Sequence, residues 1–144
     1  MNKTTQAVSL FQEGFSCSQA VFTTFSRDFG LDRETALRLS QGLGGGMAHL
    51  GEACGAVTGA FMVIGLKHGR TRADDLEARD RTYALMRQLA RRFKALHGSI
   101  QCRCLLGLDI GTEDGLRLAR ERNLFQTLCT GYVRNAAEIL EEMI

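Results

Sequence analysis

The feature that most constrains this chain is an apolar run from Gly55 to Leu66 in which only Thr58 is polar. A membrane span, a buried strand and a buried helix compete for it. A span needs ~20 apolar residues, and this run reaches Lys67, His68 and Arg70 well before that length. A strand so long is unusual, and the small residues Gly55, Ala56, Gly59 and Ala60 suit a helix better. The run predicts a central buried helix from Cys54 to Lys67, with Gly69 as its stop. Gly55, Gly59 and Ala60 fall on one face, a smooth stripe that another backbone can approach. Each helical glycine costs ~1 kcal/mol relative to alanine, so close packing must compensate.

The rest of the chain reads as helical too. It has no proline and no tryptophan. Residues 4–14 predict a short amphipathic helix ended by Gly14. Ser16 is placed as the N-cap of a second helix from Cys17 to about Phe29, with Gln19 at the capping-box position. Gly30 stops that helix, and Asp32 caps a third through Leu39. Asp74 or Asp75 begins a long helix to His97, with Leu76, Tyr83, Met86, Leu89, Ala90, Phe93 and Leu96 at helical spacing. A short helical turn at Cys102–Leu106, a small charged helix over 113–122 and a last helix from Tyr132 to Met143 follow. The expectation is an all-α, single-domain bundle over 1–144, with six or seven helices around the Gly/Ala-rich one.

The glycine segment Gly42–Gly51 invites a phosphate-cradle reading. No strand precedes it and no Gly-Lys-Ser/Thr follows, so it reads as a loop passing close to other backbone. A formal charge of +2 gives no ground for a nucleic-acid partner. Lys and Arg concentrate between Lys67 and Lys94, where the acids near the helix start and the cations near its end suit the helix dipole. The N-terminus has neither an apolar h-region nor an A-x-A site, which points to the cytoplasm. No membrane insertion is expected.

Five cysteines are then the informative count. In a reducing compartment they point to metal binding or redox chemistry rather than structural disulfides. Cys17, Cys54, Cys102, Cys104 and Cys129 contain no C-x-x-C pair, so neither a thioredoxin-type dithiol nor a zinc knuckle is present. Cys17, Cys54 and Cys102 each stand at a predicted helix start, where unpaired N–H donors favour the thiolate. Core packing is the alternative role of each. Among the histidines, His49 and His97 each precede a cysteine, Cys54 and Cys102, by five residues and are candidates to polarise it. His68 and Glu52 read as helix caps.

These residues also carry a resemblance. ACGAVTGAFMVIG, with Cys17 upstream and Cys102 and Cys129 downstream, resembles the C_GCAxxG_C_C family of redox-active proteins. FSCSQAV, GLGGGMAHLGEACGAVTGA, CRCLLGLDI and CTGYVRNAAEILEE resemble its cysteine segments in order, over nearly the whole chain. The family name spells Gly-Cys-Ala, whereas this chain reads Cys54-Gly55-Ala56, and Cys104 stands where an acid is more usual. The resemblance implies thiol redox chemistry by Cys17, Cys54, Cys102 and Cys129.

Three functions are compatible with these residues. In the first, a thiol-dependent oxidoreductase, Cys54 attacks and Cys17, Cys102 or Cys129 resolves, with no cofactor and with a redox partner that the residues do not name. In the second, the same four cysteines hold zinc or an iron–sulfur cluster. In the third the protein is a non-catalytic binding module. A homo-oligomer stays open under all three.

Overall fold

Local capping chemistry sets most of the helix boundaries in the computed structural model, which describes residues 1–144. Helix α1, Lys3–Gln12, starts where Asn2 accepts from the Thr5 N–H. Helix α2, Cys17–Ser26, opens with a complete capping box between Ser16 and Gln19 and runs into a 3₁₀ turn, Arg27–Phe29. Gly30, at φ 84°, turns the chain away. Asp32 caps α3, Arg33–Gln41, through the Thr35 N–H.

Helix α4, Gly55–His68, carries the apolar run. Helix α5, Leu76–His97, begins at the Asp75 cap and ends at left-handed Gly98. The short α6, Cys102–Leu106, ends at left-handed Gly107, and α7, Glu113–Glu121, is capped by Thr112. A π-helical turn, Phe125–Cys129, leads into α8, Thr130–Met143. Every regular element is helical, and the only strand-like pairing is one antiparallel bridge between Ala53 and Gln101. The expected six or seven helices fall short of these eight because the five-residue α6 reads as a turn in the sequence. No helix is long and apolar enough to cross a membrane.

Between α3 and α4 the chain does something the sequence reading does not anticipate. The one-turn segment Gly44–Met47 is wound the wrong way: Gly45 and Gly46 have φ of 66° and 68°. Met47, Ala48 and His49 continue at 68°, 52° and 63°. A left-handed turn costs a non-glycine residue roughly 1–2 kcal/mol, so three of them in a row need compensating contacts. Backbone bonds from Gly51 and Glu52 N–H to the Gly45 and Gly46 carbonyls close the segment, at 3.2 and 3.0 Å.

The glycine stripe acts as expected. Helix α4 packs most extensively against α2, and a Cβ on Gly59 would stand 2.9 Å from the Ser18 carbonyl oxygen. Gly69 differs: its φ is −62°, and it is small because a Cβ there would meet the Gly65 carbonyl oxygen. Burial is uneven along α4, since Ala56, Val57, Ala60, Val63 and Ile64 are fully enclosed while Leu66 is 41% exposed. On α5 only Thr82, Leu89 and Phe93 are buried; Leu76, Tyr83 and Leu96, expected on the core face, are exposed. The large buried side chains, Phe22, Phe93 and Leu140 among them, each contribute about 1.5–3 kcal/mol.

The buried side chains form two clusters. The larger joins α1 to α6 and α8 and includes Cys54; the smaller, Cys102, Leu106, Ile110 and Ala119, sits under α6 and α7. Leu128 and Cys129 pack against both. The seam between them is where the chemistry-bearing residues meet.

Candidate functional site

A cavity of about 560 Å³ opens at that seam, and Cys17, Cys54, Cys102 and Cys129 all line it. Four segments distant in sequence deliver them. Cys17 is the first residue of α2, and its segment is anchored by a chain of small polar groups. The Ser16 and Ser18 hydroxyls lie 3.0 Å apart, Ser18 donates to the Ser40 carbonyl at 2.6 Å, and the Gln19 amide donates to the Leu37 carbonyl. Cys54 stands at the N-cap position of α4 without a side-chain cap bond. Its own N–H donates to the Ile100 carbonyl at 2.7 Å, and the Cys102 N–H donates to the Glu52 carbonyl at 2.6 Å. These bonds hold the Cys54 and Cys102 segments side by side. Cys129 ends the π-helical turn, a local widening of helix often found at functional positions.

Missing side chains make the approach possible. A Cβ on Gly55 would stand 2.6 Å from Cys17 Sγ and 2.9 Å from the Leu43 carbonyl oxygen. One on Gly46 would stand 2.8 Å from Cys102 Cβ. Gly45 leaves room for the His49 ring, which stacks on Phe125 with centroids 6.4 Å apart.

The four thiols are not equivalent. The Cys54 thiol donates to the Cys17 sulfur and, against the cost of burial, backbone N–H groups of Gly45, Ser18 and Ala56 add to it. Together they push the Cys17 pKa down from 9.0 to about 7. Cys54, holding the shared proton, is raised well above 9.0, with burial and the Cys17 charge adding to the effect. Burial, and then the Cys17 charge, push Cys102 up to about 12. Cys129 is raised for the same reasons. The expectation that Cys54 is the low-pKa thiol is therefore reversed. Both residues sit at helix starts, but Cys17 collects donors from two other segments, the start of α4 and the glycine segment, as well as from its own helix.

Glu52 does not cap α4; it pairs with Arg103 at 2.6 Å, which offsets its charge beside Cys54. His49 lines the cavity. His97 lies behind it, bonded to Asn135 at 2.9 Å and set against the Phe93 and Tyr132 rings. His68 ends α4 and does not line the cavity. Cys104 is exposed and stands apart from the four. No group of three or more His, Cys, Asp or Glu side chains is arranged to hold a metal ion. Tyr132 and Arg120 also line the cavity and escape the sequence reading. Tyr132, whose hydroxyl donates to the Leu105 carbonyl at 2.8 Å, was signalled only by lying three residues after Cys129 on one helix.

A family model described as "Putative redox-active protein (C_GCAxxG_C_C)" matches residues 15–143. No curated protein and no solved structure matches the chain.

Proposed function

The chain belongs to the C_GCAxxG_C_C family, and we propose that its redox role is thiol–disulfide exchange. Cys17 is the attacking thiolate, Cys54 the proton donor and resolving thiol, and Cys102 with Cys129 a second pair in the same cavity. The observation that carries this reading is the meeting of the four cysteines in one cavity, where Gly55 lets Cys17 Sγ approach the start of α4; the lowered Cys17 pKa beside the raised Cys54 agrees with it. One thiol is primed to attack near neutral pH, and its neighbour keeps the proton that a leaving thiolate needs. Residues 1–144 act as one domain organised around the central α4, in a reducing compartment such as the cytoplasm.

Thiol alkylation followed by peptide mass spectrometry across pH tests this. Cys17 alkylation should rise to half its maximal rate near pH 7, and in Cys54→Ala that midpoint should move up toward 9.0. Mild oxidation should first trap a Cys17–Cys54 disulfide. An unreactive Cys17, or stoichiometric zinc or iron retained through dialysis of anaerobically purified protein, would sink the proposal.

A further inference from the structure

The walls of the cysteine cavity carry one guanidinium and no carboxylate. Arg120, from α7, lines it; no Asp or Glu does. Arg120 forms no ion pair, whereas its helix neighbour Arg117 is held by both Asp114 and Glu121. The lining also includes the neutral amides of Gln19, Gln41 and Gln126. About 560 Å³ suits a small ligand, and Phe15, Leu105 and Phe125 give it apolar contact.

We propose that the cavity takes a low-molecular-weight disulfide bearing a carboxylate, with Arg120 binding that carboxylate while the disulfide bond lies against Cys17. This deepens the thiol-exchange reading and rests on it. Arginine suits the task because its planar fork meets a carboxylate with two parallel bonds.

Cys17 Sγ attacks one sulfur of R–S–S–R, forming a Cys17–S–S–R bond. The other half leaves as a thiolate and takes the Cys54 proton to become R–SH. Cys54, now a thiolate, attacks Cys17 Sγ and closes the Cys17–Cys54 disulfide, and the second R–S⁻ takes a proton from water. The substrate disulfide is reduced by two electrons, and the protein dithiol supplies both.

Single-turnover kinetics of the reduced full chain, with three probes, tests the inference. The probes are dithiodipropionate (anionic), bis(hydroxyethyl) disulfide (neutral) and cystamine (cationic). Each rate is divided by that of the same disulfide with free cysteine thiolate, which removes intrinsic reactivity. The normalised rate for dithiodipropionate should exceed that for the neutral disulfide by about tenfold at low salt, and added salt should shrink the ratio. Arg120→Gln should bring the ratio close to one, and Arg120→Lys should restore part of it. A wild-type ratio near one, or a ratio unchanged in Arg120→Gln, overturns the assignment.

Adipate, which cannot exchange, separates the two readings. NMR titration should shift the Arg120 guanidinium resonance in the wild type. A shift with no disulfide reaction at Cys17 sinks thiol exchange while keeping the anion site, and no shift sinks the anion site whatever Cys17 does.

Discussion

The two sides of the cavity hold the same residue type in opposite states. On the α2–α4 side, Cys17 is brought down to about 7. On the α6–α8 side, Cys102 is brought up to about 12 and Cys129 is raised as well. Burial opposes the charge on both sides. The difference lies in donors: Cys17 receives the Cys54 thiol and three backbone N–H groups, whereas nothing but the partly exposed Arg103 favours the Cys102 thiolate. A helix start does not by itself activate a cysteine, since Cys102 also opens a helix. Activation comes where several segments converge on one sulfur, and here glycines permit that convergence.

The largest break in the contrast should come from Gly55→Ala. The new Cβ would stand 2.6 Å from Cys17 Sγ and 2.9 Å from the Leu43 carbonyl. Sulfur and backbone must both shift, costing about 1–3 kcal/mol as other overpacked sites do. Ala56 and Gly45 N–H groups then no longer converge on the sulfur. Urea denaturation should show the lost stability, and the Cys17 alkylation midpoint should move above its wild-type value. A variant with unchanged midpoint would mean that the donors, not the close approach, suffice.

A smaller effect separates the sides through folding stability. Cys17 has a lowered folded-state pKa, so its contribution is complete above the unfolded value near 9.0 and is lost as pH falls through about 7. Cys54, Cys102 and Cys129 are raised, so above 9.0 the unfolded chain releases protons that the folded one keeps. Stability should therefore rise between pH 7 and 9 and fall beyond 9, where Cys17 adds no further change and the three raised thiols act alone. In Cys17→Ser the rise should vanish while the fall at high pH persists. Urea midpoints across that range would show it, and a wild-type midpoint flat from 7 to 9 would contradict the assignment of charge to Cys17.

Much of this arrangement is legible in the sequence where its cause is local. The Ser16–Gln19 box, the Asp32 cap, the Gly30 stop and the Gly55–Gly59 stripe each depend on residues a few positions apart. The left-handed run is different, because Met47, Ala48 and His49 are not residue types that announce a positive φ. At Gly46, within that run, the missing side chain is explained only across space, where a Cβ would meet both Glu52 and Cys102. The reversal of Cys54 and Cys17 has the same origin. Each reads as a helix-start thiol, and only the fold reveals that Gly45 and Ala56 N–H groups both reach Cys17. Helical periodicity likewise places Leu76, Tyr83 and Leu96 on the core face of α5. The long helix meets its neighbours along a narrower strip, marked by Leu89 and Phe93.

The smallest expected effect belongs to the fifth cysteine, and it guards the rest. Cys104 is exposed on α6, two residues from buried Cys102, and side chains at that spacing on a helix point apart. It belongs to neither side of the cavity and does not line it. Exposure alone makes it alkylate in the folded protein, so a count of reactive thiols would mix its signal with that of Cys17. Cys104→Ser should remove one labelled peptide and leave the Cys17 midpoint near 7. Stability should change by no more than about 0.5 kcal/mol, as for other surface substitutions. Peptide-resolved alkylation and a urea midpoint would check both. A shift of the Cys17 midpoint in this variant would tie Cys102 and Cys104 together as one C-x-C unit, and the contrast between the two sides would then need to include it.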